Sequence, residues 1–337
     1  MVETNSKIRR VPKTKLFRIS KENYLILALF VGFLLYPLLV NVYLIDMMCT
    51  ALILGIFALS LDLIWGYTGV LNLGHAAFFG LGSYSFVLTL KHIDNFNPIY
   101  LALIVAIILP AVLAMIIGFV TFLSRTTEIY FAIITLAVSL LLEKIALIWY
   151  DFTGGSNGII NIPTLTFNLP RVFSLSLDSS LKYYYFVLTV SLLAFVLCKR
   201  LVSSPFGRVL ISIRENEERT AVLGYNTAKY RITIYCISGG IAGLSGAMFG
   251  PLNAIVYPSL FGLLLSAQVL IWVAVGGRGT LIGAFMGAAI INILEAYLSD
   301  VSIMAYLIVL GIVFILVVLL LPQGFAGLIQ KSFKMAK

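Results

Sequence analysis

The stretch Trp65-Gly66-Tyr67-Thr68-Gly69-Val70-Leu71-Asn72-Leu73-Gly74-His75-Ala76-Ala77-Phe78 stands between two long apolar runs, and its reading decides the fold. Three glycines, an asparagine and a histidine interrupt what would otherwise be continuous membrane helix, and Asp62 lies just upstream. Irregular backbone at membrane depth exposes N–H and C=O groups that lipid cannot satisfy. It survives only where protein or a water-filled cavity supplies partners. A broken helix beside ionisable side chains therefore marks a place to look for a path through the bilayer.

The composition around this break fixes the class. Of 337 residues, 61% are hydrophobic and 11% charged, with a mean hydropathy of +1.05. Soluble domains carry about 25% charged residues. Apolar runs fall at 24–44, 47–65, 74–91, 98–123, 129–150, 182–200, 228–252, 263–276, 281–298 and 304–321. A span needs about 20 apolar residues, so the pattern predicts an all-α, polytopic membrane protein with about ten crossings. The runs at 74–91 and 263–276 are short enough to be half-helices or re-entrant segments. The runs are continuous rather than alternating, which excludes a β-barrel. The run at 24–44 is too long for a signal peptide's apolar region, lacks a small-residue cleavage site and reads as a first span.

The net charge of +9 is assigned to retained basic residues, not to nucleic acid. With the N-terminus inside, segments 1–23, 66–73, 124–128, 201–227, 277–280 and 322–337 fall on one side and carry most of the Lys and Arg. The opposite side holds Asp46, Asp94, Asp151, Asp178 and Asp300. Both termini are thus expected in the cytoplasm, with a basic tail over 1–23, a transmembrane domain over 24–325 and a short tail over 326–337. An external loop over 151–181 contains Thr153, Gly154, Gly155 and Asn157. Cys49, Cys198 and Cys236 lie in apolar runs and read as packing residues.

The inner segment 201–227 has helical character: Phe206, Val209, Leu210 and Ile213 share one face, against Arg208, Arg214, Glu215, Glu217, Glu218 and Arg219, and Gly224 ends it. A helix is expected over about 204–224. Asp62, isolated in an apolar run, reads either as an anchor for the broken loop or as part of the pathway. His75 opens the next helix and is expected to be neutral and structural. Glu143 and Lys144 need partners on other helices, and Asn292 with Glu295 forms a polar pair expected to face inward. A glycine-interrupted echo of the first break, Gly276-Gly277-Arg278-Gly279-Thr280-Leu281-Ile282-Gly283, opens another helix in the second half. No nucleophile–base arrangement, metal-ligand spacing or phosphate-binding loop is present in the sequence, so an enzyme is not expected.

These residues resemble a known family. Leu61 to Gly69, continued by Asn72 to Gly80, resembles the signature of LivM-type permeases, the membrane subunits of ABC importers for branched-chain amino acids. Tyr130 to Ala137, Phe152 to Ile159, and Ser204 to Gly224 resemble further signatures in the family's order. Two details look closer to the urea-type branch: Asp62-Leu63-Ile64-Trp65, and Ile271 to Ala284 with its Trp272 and Arg278. Asn72 departs from both branches, where Ser is more usual.

The resemblance implies a type II ABC importer permease-like bundle in a prokaryotic plasma membrane. Its partners would be a second, homologous permease subunit, two ATPase subunits that carry ATP and magnesium, and an external substrate-binding protein. No cofactor is expected in this chain itself. Pathway or hinge candidates are Asp62, Tyr67, Asn72, His75, Thr135, Asn292 and Glu295. Gly207, Arg208, Arg214, Glu215, Glu217 and Gly224 would couple to the ATPase. A small neutral or zwitterionic solute is expected, with urea preferred over branched-chain amino acids. The rival classes are an ion-coupled transporter or channel using Asp62, Glu143 or Glu295, and a structural membrane subunit.

Overall fold

Helix α1, Val42–Thr68, is apolar on every side, and such a helix must be covered all round. Every residue from Ala51 to Ile64 is buried. In the computed structural model, which describes residues 30–93, 98–124, 126–163, 165–169, 173–299, 309, 311, 312 and 315, α1 is the axis of a helical bundle. Around it lie α2 (Ala76–His92), α3 (Pro98–Leu123), α4 (Glu128–Ile148), α5 (Ser180–Ser203), α6 (Pro205–Glu215), α7 (Glu217–Val222), α8 (Thr227–Asn253), α9 (Leu263–Gly276) and α10 (Leu281–Ser299). Helices α5, α8, α9 and α10 pack directly on α1, and α2 and α3 pack on α8.

The fold class is the expected helical one. Five helices, α1, α3, α4, α5 and α8, are long and apolar enough to cross a membrane, and α9 with α10 forms a pair bent by 120°, either one broken span, which would make six, or a re-entrant loop. The expected count of ten is not reached among the described residues. Helix α2 has only 17 residues and α9 only 14, about 26 and 21 Å at 1.5 Å per residue. The start of the first run, 24–29, and most of the last lie outside the described residues.

Small residues set how closely the central helices meet. Gly239, Gly243, Gly246 and Gly250 form a stripe at helical spacing along α8. A Cβ at Gly243 would fall onto the Ala106 carbonyl of α3, and one at Gly246 onto the Phe79 carbonyl of α2. Ala106 is the residue whose carbonyl loses its helical donor to Pro110. The proline and the glycine that packs against it thus form one contact.

The connections outside the long helices carry two short antiparallel pairings: Ile159–Ile160 with Ile255–Val256, and Thr166–Leu169 with Phe173–Ser176. Lys91 Nζ donates to Ile160 O at 2.8 Å, tying the end of α2 to the first of them. The helix expected over 204–224 is two pieces. Asn216 is extended, and its side chain accepts from Arg219 N at 2.8 Å, so it caps α7 as a new helix.

One consequence is testable. A Cβ at Gly82 would overlap the Gly243 backbone, so Gly82→Ala is expected to destabilise the protein by about 1–3 kcal/mol through overpacking. Gly32→Ala, with nothing within 4 Å, is expected to melt with the wild type. Thermal melts of the detergent-solubilised protein check both.

Candidate functional site

The two glycine-interrupted breaks meet. Helix α1 ends at Gly69, whose φ of +88° is the left-handed turn that stops a helix. Its last carbonyls have no partner within the helix. Arg278 Nε donates to Trp65 O at 2.9 Å, and the same guanidinium reaches Gly69 O at 3.3 Å. Arg214 Nη1 donates to Gly66 O at 2.6 Å. The Arg278 guanidinium also lies 5.1 Å from the Trp65 ring centre. Asp62 Oδ1 accepts from Gly279 N at 2.7 Å, while its buried Oδ2 has no partner. A Cβ at Gly66 would meet both Asp62 and the Gly279 backbone. Three segments distant in sequence therefore converge on one helix end.

His75, at the far end of the break, packs back on Phe57 of α1 and is fully buried. Its bonds fix its tautomer. Ser60 Oγ gives its one hydrogen to Phe57 O at 2.6 Å, so it accepts from His75 Nε2–H at 2.7 Å. Asn72 Oδ1 accepts from Gly74 N at 3.0 Å, which turns Asn72 Nδ2 toward His75 Nδ1, also at 3.0 Å. His75 is thus neutral, as expected. The cause is this bonding pattern, because an imidazolium would set N–H against N–H. Thr135 is buried against the same break, since a Cβ at Gly74 would strike its carbonyl. Tyr67 is buried in the last turn of α1.

Asn292 and Glu295 sit elsewhere. They line a cavity of about 350 Å³ toward the opposite end of the bundle, together with Thr50, Asn253, Tyr257 and Gln268. Its apolar walls include Leu54, Phe79, Phe249, Leu264 and Trp272. The pathway candidates thus split into two groups: Asp62, Tyr67, Asn72, His75 and Thr135 at the broken helix end, Asn292 and Glu295 at the cavity. The segment 254–262 forms one wall. It leaves α8 through Ala254, whose φ is +54°, and makes a short 3-10 turn at Pro258–Phe261. It then enters the bundle where Phe261 stacks on Tyr84 and starts α9 as a half-helix. Reading the sequence by apolar runs passed over this segment, although Pro258 and Gly262 were its signal.

The remaining candidates are structural in part. Gly207 cannot carry a side chain because Val202 O occupies the space, and Ser204 caps α6 with Pro205 in its first turn. Arg208 is exposed. Glu215 pairs with Arg214 at 2.9 Å, and Glu217 with Arg231 of α8 at 2.7 Å. Gly224 has a φ of +92° and ends α7. In the stretch after α4, Thr153 Oγ1 donates to Ala146 O at 2.6 Å and accepts from Gly155 N at 3.3 Å. Gly154 and Gly155 both have positive φ, and Asn157 is exposed. Glu143 lies beside Gly262, and Lys144 is exposed. Among the described residues, no group of three His, Cys, Asp or Glu side chains is placed to hold a metal ion.

Comparison with known proteins adds the decisive observation. Residues 43–318 match the family model described as "Branched-chain amino acid transport system / permease component". The chain belongs to this permease family. It is a transport component rather than an enzyme, and a multi-pass membrane protein.

The permease is 27% identical over 333 residues to the high-affinity branched-chain amino acid transport system permease protein LivM of Escherichia coli strain K12, covering 94% of this chain and 77% of that one. It is 26% identical over 275 residues to the probable branched-chain amino acid transport permease protein LivM of Methanocaldococcus jannaschii, covering 72% and 78%. It is 25% identical over 288 residues to LivH of the same Escherichia coli strain, covering 81% and 91%. No solved structure matches the chain significantly. The leaning toward the urea-type branch finds no support in these relatives and is corrected: of the residues on which it partly rested, Arg278 bonds Trp65 O and lies over its ring, and Asp62 accepts from Gly279 N.

The His75 network yields a test. Asn72→Ala removes the acceptor for Gly74 N and the donor for His75 Nδ1. It is expected to cost about 1–3 kcal/mol for each buried group left unsatisfied, read as a lowered melting temperature of the purified permease.

Proposed function

We propose that this permease is a transmembrane subunit of an ATP-driven importer for branched-chain amino acids, set in the cytoplasmic membrane of a prokaryote with both termini inside. The observation that carries this reading is the cavity beside the broken helix α9. At about 350 Å³ it lies in the roughly 300–1,000 Å³ range of small-molecule sites. It combines an apolar wall with a few polar groups, as a small aliphatic zwitterion requires. Glu295 would face the substrate ammonium, and Leu54, Phe79 and Phe249 the branched side chain. Discontinuous membrane helices are where transporters place such sites.

The second element is the surface offered by α6 and α7. Val209, Leu210 and Ile213 face the bundle, while Val222 and Leu223 are 88% and 76% exposed at the basic end. That end carries Arg208, Arg219, Lys229 and Arg278, so it lies beyond the lipid core by the positive-inside rule. Two apolar side chains held out on a charged, non-lipid surface suit insertion into a groove of a partner protein. We assign that partner as an ATPase subunit, one of two, and place a second homologous permease and an external binding protein in the same complex. The tails over 1–23 and 326–337 would flank a transmembrane domain over 24–325, with the coupling element at 204–224 and the binding-protein side at 151–181.

Proteoliposomes holding the complete transporter, with ATP inside and binding protein outside, test the reading. Uptake of labelled leucine, isoleucine and valine is expected, with no competition by excess urea. Urea uptake without leucine uptake would sink it. Glu295→Ala is expected to lower leucine uptake by about tenfold, equal to roughly 1.4 kcal/mol.

A further inference from the structure

We infer that the junction of α1 with the 277–280 break is the inner gate of the pathway, latched by Asp62 and Arg278, and that Arg214 is the positioning residue through which α6 moves it. This rests on the importer reading above and adds the place and the trigger of opening.

The cavity is lined by Met47 and Thr50 near the start of α1, Asn253 at the end of α8, and Glu295 and Ala296 near the end of α10. Toward the basic end its lining on α1 stops at Leu54. Below that level α1 is buried on every side to Ile64. About 12 Å further along α1, at 1.5 Å per residue, lies Asp62 with its bond to Gly279 N. There the chain is closed by backbone against backbone, since Gly66 approaches Gly279 so closely that no methyl group fits between them. Packing of this kind opens only by moving one segment as a body.

The bonds at the seal identify what holds it and what pulls on it. Asp62 and Arg278 join α1 to the α9–α10 turn through Gly279 N, Trp65 O and Gly69 O. Gly277 and Gly279 on that turn have φ of +117° and +76°, a flexible backbone on which the turn can swing. Arg214 is different in kind. It is the last basic residue of α6, and its guanidinium leaves that helix to hold Gly66 O, the carbonyl at the seal itself. A displacement of α6 therefore acts first on Gly66. The second tether, Glu217 to Arg231 at 2.7 Å, keeps α7 on the start of α8, so α6 moves against a held neighbour.

The test uses the whole transporter in inside-out vesicles and needs no knowledge of the substrate. Cys49, Cys198 and Cys236 are replaced by alanine and Ser259, which lines the cavity, by cysteine. A membrane-impermeant maleimide is then applied from the basic side without ATP. With the gate intact, labelling is slow. Asp62→Ala and Arg278→Gln are each expected to speed it about tenfold, within the range of coupling between sites, while Arg278→Lys, which keeps one donor, stays near the parent rate. Arg214→Ala is expected to lower uptake per ATP hydrolysed by about tenfold, with Arg214→Lys partly restoring it. Assembled complexes that label at the parent rate in both Asp62→Ala and Arg278→Gln overturn the latch. A parent ratio of uptake to hydrolysis in Arg214→Ala overturns the role of that residue. Absence of leucine uptake by the parent transporter would instead count against the importer reading, leaving the labelling result to stand alone.

Discussion

A helix that ends inside a membrane protein must hand its last carbonyls to some donor, and this requirement organises the basic end of the bundle. Thr68 Oγ1 returns to Ile64 O at 2.7 Å, Arg278 takes Trp65 O, and Arg214 takes Gly66 O. These carbonyls lie at a part-buried to exposed edge of the bundle, where the arginines take the place of the helical donors that the break removes. Guanidinium groups suit the task twice over, because they supply donors in a fixed fork and place positive charge at the negative end of the helix dipole. The break after α1 is therefore inseparable from the two arginines, and through them from α6 and from the α9–α10 turn.

The same economy governs the centre of the bundle. Helix–helix association in lipid gains little from hydrophobicity and much from close approach. The glycine stripe of α8 lets α2 and α3 come to backbone contact, and Gly276 and Gly287 do the same between α9 and α10, where added Cβ atoms would meet the Gly283 and Trp272 carbonyls. Packing this tight leaves space mainly where the helical pattern fails. The cavity lies at such a place: segment 254–262 is not helical over most of its length, and α9 begins only at Leu263. The break near α9 makes room, whereas the break after α1 fills it.

Local pattern made the bundle, the two breaks and the amphipathic face of α6 legible, because each is written in runs of neighbouring residues. Asp62 was recognisable as an anchor or pathway residue from cost alone, since an isolated carboxylate in an apolar run needs a partner. Its partner was not legible, because nothing local links Asp62 to Gly279 N. Arg278 read as a loop charge and Arg214 as a coupling residue of the amphipathic helix for the same reason, and their targets are backbone carbonyls that any residue could supply. Segment 254–262 was absorbed into the space between two runs, since apolar periodicity has no term for a chain that enters the bundle without being helical. Asn216 divided a helix that the spacing of Phe206, Val209 and Ile213 had extended, because capping by one side chain outweighs the propensity of the residues after it. The leaning toward urea failed differently. It treated Trp65 and Arg278 as marks of substrate, although Arg278 lies over Trp65 and bonds its carbonyl.

Asp62 leaves one oxygen buried and unpartnered beside a junction that is otherwise bonded. Its bond to Gly279 N is a single tie between α1 and the α9–α10 turn. The arrangement makes sense for a contact that must form and release. Each additional bond from Asp62 to the α9–α10 turn would deepen the closed state and raise the cost of opening it. A single bond to Gly279 N, aided by the nearby charges of Arg214 and Arg278, holds the turn against α1 while leaving the energy difference between closed and open within reach of a movement of α6. The glycines on both sides of the contact serve the same end. They bring the backbones close enough to seal, and they place no side chain that would have to be dragged past another when the seal parts.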